Sequence, residues 1–365
     1  MNKSIIKSVE VKVIELPLKK EWKIALYSQS TRPHAVVRIT TEDGIVGYGE
    51  AAPSPAFMGE TGYTMEVAIN KYLGPAIIGE SVFDVSEIHK KMNFAIYGNN
   101  AAKSAIDIAL YDIMGKTLNV PVYELLGGKA RDKVALSWVV GMQDLDSSIE
   151  EAREKLDEGY RVLKVKVGRT PEIDYNLLKK IRSELGWGFP IRLDANQGYD
   201  YRTALTTFRR LEEFELESIE QPVERWDIQG MAMLRDKLST PIMADESVSD
   251  FHSVMRVIKE KACDIVNIKV GKVGGLTMAK KIATCLEAEG LMGTAGSNLE
   301  VGIGSAASIH FVASTSNVSL PNDLLLGGPL HKHDIIVNKF EIEDGYVKVP
   351  ETPGLGIEVD DSIFK

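Results

Sequence analysis

The chain has 365 residues, of which 44% are hydrophobic and 26% charged, an ordinary balance for a globular protein with a sizeable core. A net charge of −9 without a long basic run argues against nucleic acid as a partner, and no apolar stretch reaches membrane-spanning length. Cys263 and Cys285 stand without Cys/His ligand spacing, and the first twenty residues lack an apolar signal core, so a reducing, cytoplasmic setting is expected rather than a disulfide or zinc framework.

Residues 1 to about 50 read as a three-stranded antiparallel meander. Ser8–Ile14, Ala35–Ile39 and Ile45–Glu50 alternate polar and apolar residues, and Thr41-Glu42-Asp43-Gly44 is a hairpin turn. The polar segment Glu21–Pro33 is long for a hairpin loop and reads as a lid, and Pro53–Thr61 reads as a second loop of this kind. Tyr27 and Phe57, one on each loop, are candidate substrate contacts. From Tyr63 to Leu126 the pattern turns helical, most clearly over Ser104–Lys116, and Gly127-Gly128 marks a junction. Residues 1–125 are therefore expected to form an α+β cap.

Beyond the junction a cadence sets in. Lys164 and Lys166 lie in the apolar run Leu163–Gly168, so on a strand they share a face. Asp194, Glu220, Asp245 and Lys269 follow at intervals of 28, 26, 25 and 24 residues, each closing a short hydrophobic run. Each interval can hold one helix, which is the rhythm of a (β/α) barrel with functional groups at the carboxyl ends of its strands. Eight strand ends are expected near Gly141, Lys166, Asp194, Glu220, Asp245, Lys269, Gly296 and Asp323, giving a barrel over 126–334. Two late strands, Lys339–Ile342 and Tyr346–Val349, have no slot left and are expected to pack on the cap, completing it with residues 335–365.

Taken singly, each carboxylate could cap a helix or pair with an arginine. Three in register at one mouth would repel and be costly to desolvate, and a hard divalent cation, Mg²⁺ with Mn²⁺ as a possible substitute, resolves this with all-oxygen ligands. Two ammonium groups about 6 Å apart repel by on the order of 3 kcal/mol at an effective dielectric near 20. That repulsion is expected to bring Lys166 towards ~7–8, where it could act as a base. Lys269 would approach the same cavity from the opposite wall.

These residues carry a resemblance over essentially the whole chain. Lys164-Val165-Lys166, Asp194-Ala195-Asn196, Glu220-Gln221-Pro222, Asp245-Glu246-Ser247 and Asn267-Ile268-Lys269 with Gly274-Gly275 resemble the muconate-lactonizing subgroup of the enolase superfamily. The resemblance implies an α/β fold, a modified (β/α)8 TIM barrel with an N-terminal α+β capping domain completed by the C-terminal segment. It implies Mg²⁺ on Asp194, Glu220 and Asp245, Lys166 and Lys269 as acid/base groups, and Lys164 as their electrostatic partner. The reaction implied is removal of the proton α to a carboxylate, with a lysine base and a metal-stabilised intermediate. Racemisation or epimerisation of an amino-acid derivative, cycloisomerisation or another elimination, and a catalytically silent barrel kept for binding remain open outcomes.

Ile24-Ala25-Leu26 and Ala52–Thr61 resemble the cap loops of dipeptide epimerases. Those enzymes carry an Asp-x-Asp pair after the eighth strand, whereas here Asn322-Asp323 leaves one acid. Asn298–Gly304 and Asp323–Leu330 look closer to muconate cycloisomerases and N-acylamino acid racemases. Asn196, Glu246, Ser297, Glu300 and Asp323 join the candidate substrate contacts, with Glu300 equally readable as a helix-start carboxylate. A small carboxylate is the expected partner, with neither nucleic acid nor membrane, and a homo-oligomer is expected. The six histidines show no catalytic spacing, and His310 reads as a packed core residue.

Overall fold

The computed structural model describes residues 4–25 and 27–364; Leu26, the end of one resembling stretch, lies outside them. Strand β1 (Ile6–Lys23) pairs antiparallel with β2 (Ser28–Thr41), and β3 (Val46–Ala51) pairs with the other edge of β2. The segment Glu21–Pro33 is thus not a loop. It is the far end of a long β1/β2 ribbon, in which Trp22 pairs with Gln29 and Lys23 with Ser28 after a register shift beyond Pro17. Its polar composition reflects a two-stranded ribbon reaching past the cap's core, where among the described residues only Trp22, Ile24 and Arg32 are buried.

Helix α1 (Asn100–Leu118) is almost wholly buried and lies on β3 through a run of alanines. The approach is close enough that a Cβ on Gly49 would stand 1.7 Å from the carbonyl oxygen of Ala105. The same helix seats the cap on the barrel. Asp107 accepts from the Thr277 backbone (3.1 Å) and hydroxyl (2.6 Å), and Ser104 Oγ donates to the Val270 carbonyl at 3.0 Å.

Seven parallel strands follow: β4 (Trp138–Val140), β5 (Leu163–Lys166), β6 (Ile191–Asp194), β7 (Leu216–Glu220), β8 (Ile242–Ala244), β9 (Ile265–Ile268) and β10 (Met292–Ala295). Their residues are mostly buried on both faces, as for a sheet wrapped in helices. Register places Lys166 beside Asp194 and Asp194 beside Glu220. The eighth position is filled by an irregular segment, residues 318–323, which bridges β10 at Gly293–Val318 and Gly296–Asp323 and meets the chain before β4 at Leu136–Asn322. Pro321, lacking an N–H, is one reason no regular ladder forms there.

The C-terminal strands correct one expectation. Ile342–Glu343 pairs with Tyr346–Lys348, which pairs in turn with Lys133–Ala135 at the barrel's entry, not with the cap sheet. The residues after them reach the cap, where Leu355 N donates to Asp112 (3.0 Å) and Asp361 takes both Arg38 (2.9 Å) and the Tyr48 hydroxyl (2.7 Å). Helix α2 (Gly302–Ala313) follows the β10 loop, and Glu50 of β3 accepts from Val301 N and Gly304 N, both at 2.8 Å, placing a cap carboxylate at its positive end.

Candidate active site

The strand ends deliver their charged residues to one place. Lys166 Nζ donates to Asp194 Oδ2 (2.6 Å) and Asn196 Oδ1 (2.8 Å), while Lys269 Nζ, just past β9, donates to Asp245 Oδ2 at 2.7 Å. Lys164 Nζ lies 3.0 Å from Asp194, 2.7 Å from Glu220 and 3.0 Å from Asp323. Backbone geometry marks the same rim: Asn196, Gln197, Gln221 and Leu299 all have positive φ, a strained conformation that recurs where strand ends must aim side chains into a site.

Burial and charge pull these groups in opposite directions. Burial works against a charged Asp194, but Lys164 and Lys166 override it and bring the carboxyl down to about 2. Burial likewise opposes charge on Asp245, and Lys269 and Lys272 hold it well below the usual range. Glu220 goes the other way, pushed up to about 8 by burial and then by Asp194. Lys164 corrects the like-charge argument: although burial disfavours its ammonium, Asp194, Asp323 and Glu220 raise it well above an ordinary lysine. Lys269 is also raised, with Asp245 outweighing burial.

By donor chemistry the three carboxylates fit a hard divalent cation. All are at most 1% exposed, and Glu220 Oε2 receives no properly directed hydrogen bond even though the Lys164 ammonium is 2.7 Å away. Among the described residues no three acidic, histidine or cysteine side chains are gathered around one point. Lys164 is wedged at Asp194 and Glu220, and Lys272 with Lys269 holds Asp245, so ammonium groups occupy the carboxylates that a cation would share.

The cavity over these residues is lined by Lys164, Lys166, Lys269, Asn196, Ser297 and Asp323, and roofed by Trp22, Ile24, Tyr27, Phe57, Leu299 and Leu325. Its volume is only about 50 Å³, a tight closure when drug-sized ligands occupy pockets of roughly 300–1,000 Å³. Tyr27 and Phe57 meet at 5.9 Å between ring centres, and the Lys269 ammonium lies 5.8 Å from the Phe57 ring.

Other candidates take different places. Asp323 borders the cavity but is committed to Lys164, to Arg192 (2.7 Å) and to the Ser137 hydroxyl. Glu300 does not border it; its carboxylate is bound by Ser297 Oγ (2.6 Å) and Asn298 N (2.8 Å) and braces the loop after β10. Glu246 stands behind Asn196, which donates to it at 3.2 Å, and burial followed by Asp245 pushes it up to about 7. Arg32, Arg192 and Lys272 were not singled out from the sequence. Arg32 ties the ribbon to Asn298 O (3.1 Å) and Ala52 O (3.4 Å); Lys272 follows Lys269 by three residues, a spacing that could have flagged it.

Residues 8–127 match the profile of the mandelate racemase / muconate lactonizing enzyme N-terminal domain, and residues 147–363 match that of the enolase C-terminal domain-like family. The chain is 34% identical to the L-Ala-D/L-Glu epimerase of Clostridium acetobutylicum, covering 97% of this chain and 99% of that protein. It is 35% identical to the N-succinyl-L-Arg/Lys racemase of Bacillus cereus, covering 99% and 97%. The structure of muconate lactonizing enzyme from Pseudomonas fluorescens complexed with muconolactone superposes with a TM-score of 0.96 at 31% identity, covering 100% of this chain and 99% of that one.

Proposed function

The chain belongs to the mandelate racemase and muconate lactonizing enzyme family of the enolase superfamily, and from that premise we propose a Mg²⁺-dependent isomerase that racemises or epimerises an amino-acid derivative at the carbon α to its carboxylate. The observation that carries this reading is that Lys166 and Lys269 reach one cavity from separate strands, each held by a different carboxylate. In one direction a neutral Lys166 would take the α-proton and the Lys269 ammonium would deliver one to the opposite face; in the other the roles exchange. Asn196 and Asp194 hold Lys166 in place, and Asp245 does so for Lys269. Lys164 would add positive charge beside the developing anion. Asp194, Glu220 and Asp245 would hold the Mg²⁺ that enzymes of this superfamily use. Bound there, the ion supplies Lewis-acid stabilisation of the substrate carboxylate. A cycloisomerisation would use one of these lysines for the proton and the other as electrostatic support, and single-lysine variants separate the two readings.

The neutralised state of Asp323 bears on the substrate. Lys164 and Arg192 already share its charge, so the cavity offers no free carboxylate to a substrate ammonium among the described residues. That favours an N-acyl amino acid over a dipeptide with a free amino end. We divide the chain into a cap of residues 1–125, to which the segment after Lys348 returns, and a barrel of 126–334 that carries the strands Ile342–Glu343 and Tyr346–Lys348 at its entry. No helix among the described residues is long and apolar enough to cross a membrane. The free Cys263 and Cys285 support placing the enzyme in the cytoplasm, and the outward Phe94 and Tyr97 support a homo-oligomer.

The test is solvent deuterium uptake at the α-carbon across N-acyl amino acids, dipeptides and muconate, with Mg²⁺ or Mn²⁺ and with EDTA. Uptake into an N-acyl amino acid, lost with EDTA and restored by either metal, is expected. Absence of exchange into every α-substituted carboxylate, or full activity in thoroughly metal-free protein, refutes the reading.

A further inference from the structure

Beyond the closed reaction cavity lies a larger one. A groove of about 1,070 Å³ runs between cap and barrel, bordered by Phe57, Tyr97, Lys103, Arg225, Glu246 and Phe251. Phe57 borders both spaces, so its ring is part of the wall between the groove and the cavity holding Lys166 and Lys269. On the groove side, Asn196 and Glu246 form another part of that wall through their 3.2 Å hydrogen bond.

Beside its packing on Tyr27, Phe57 is held by a side chain from the other domain. The cap segment Pro55–Met58 is a single helical turn, exposed at Pro55 and Ala56, with Phe57 and Met58 packed against buried apolar clusters. Arg225, on the barrel loop after β7, donates through Nη1 to the Phe57 carbonyl (2.7 Å) and through Nη2 to the Ala56 carbonyl (2.9 Å). A planar guanidinium spanning two adjacent carbonyls is a directional clamp that a flexible ammonium reproduces only in part. The loop carrying Arg225 is itself braced on the site. Arg225 N donates to Gln197 Oε1 (3.1 Å), Ser247 Oγ donates to the Arg225 carbonyl (3.1 Å), and Gln221 Nε2 donates to Ser247 Oγ (2.8 Å). Gln221 directly follows Glu220, and its Oε1 accepts from Asp245 N (3.1 Å).

We propose that Arg225 is a positioning residue, a latch that holds the 55–58 turn on the barrel and so sets Phe57 as the water-excluding gate over Lys269. The inference rests on the two-lysine reading for its catalytic consequence alone. Lys269, 5.8 Å from the Phe57 ring, is the lysine the gate covers, while Lys166 is held on Asp194 and Asn196. Releasing the latch therefore disturbs the two proton-transfer faces unequally. The groove is the space into which the gate opens, and through it a substrate too large for the closed cavity would enter.

The first test needs no activity. Backbone amide exchange at Phe57, Met58 and Gly59, whose N–H groups bond to Ser54 and Pro55 carbonyls, is measured in wild type, Arg225→Ala and Arg225→Lys. Exchange should quicken by on the order of tenfold in Arg225→Ala and by less in Arg225→Lys, the loss expected for charge-assisted bonds partly screened by solvent. Unchanged exchange in Arg225→Ala overturns the latch. Because Arg225 is exposed, the variant should keep the wild-type melting temperature, so faster exchange with a collapsed melting temperature also counts against it. The second test uses α-proton exchange in each enantiomer, with the face served by each lysine assigned from Lys166→Ala and Lys269→Ala. Exchange at the Lys269 face should fall on the order of tenfold in Arg225→Ala, with the Lys166 face within about twofold; equal loss at both faces overturns the gate. Faster amide exchange in a protein whose wild type exchanges no α-proton would uphold the latch and refute the racemase reading instead.

Discussion

Replacing Lys164 with methionine separates the charge economy of the site from its chemistry. The ammonium lies 3.0, 2.7 and 3.0 Å from Asp194, Glu220 and Asp323. Each contact is worth on the order of 5–6 kcal/mol in gross Coulomb terms at an effective dielectric near 20. Much of this is offset by desolvation of the buried groups, and Glu220, pushed up to about 8, carries only part of its charge at neutral pH, so the net loss on removing Lys164 should be about 3–5 kcal/mol. For a chain of this length that corresponds to a melting temperature lower by roughly 4–6 °C in EDTA. Mg²⁺ should then act differently on the two proteins. In the wild type a cation must compete with the Lys164 ammonium for Asp194 and Glu220, whereas in Lys164→Met Glu220 loses its ion pair and Asp194 keeps only that to Lys166. At about 100 times the dissociation constant, binding adds about 2.7 kcal/mol, so the variant should approach saturation at lower Mg²⁺ and recover several degrees. Thermal melts in EDTA and across a Mg²⁺ titration decide it. A metal-free variant as stable as wild type, or identical Mg²⁺ responses, would refute the reasoning.

Three further outcomes follow from the same geometry. Lys269→Ala should stop racemisation while leaving Lys166 able to wash deuterium into the enantiomer it faces, and Lys166→Ala should show the mirror pattern; one variant silencing both faces contradicts the two-base arrangement. Glu50 is pushed up to about 7 by burial, despite the N–H groups of Gly304 and Val301, so it binds its proton more tightly in the folded state. The stability this lends is full below about 4.5 and lost as pH rises to about 7, by at most about 3 kcal/mol. Urea titrations at several pH values should show that slope in wild type and a flatter one in Glu50→Gln. Gly49→Ala should cost about 3 kcal/mol or more, because its Cβ would strike the Ala105 carbonyl on a helix that cannot retreat, and denaturant midpoints would measure it.

The site's main charges were legible because barrel geometry turns a regular interval into a shared mouth. Lys166, Asp194, Glu220, Asp245 and Lys269 each close a hydrophobic run, and the structure pairs Lys164 with Asp194 and Glu220, Lys166 with Asp194, and Lys269 with Asp245. What escaped is what depends on partners distant in sequence. Lys164 looked like a charge repelling Lys166, and only the folded chain shows Asp323 arriving 159 residues later to help balance it. Asp323 looked free to read a substrate for the same reason, since Arg192 is its other partner. The ribbon tip was misread as a loop because its alternation is broken between Pro17 and Trp22, where the register shifts. Arg225 gave no periodic or motif signal; its contacts are to backbone carbonyls, which any sequence supplies.

The irregular closure of the barrel at residues 318–323 has a temporal side. Until that segment is made, β4 and β10 both present unpaired edges, and β4 emerges nearly half the chain earlier. At roughly 5–20 residues per second on the ribosome, the first edge stays open for some ten seconds or more. An open parallel edge is a template for another chain. The Lys133–Ala135 strand offers no early cover, because its own partner, Tyr346–Lys348, is synthesised later still. The nascent protein must therefore keep a half-built barrel from pairing with its neighbours on the polysome until residues 318–323 close it.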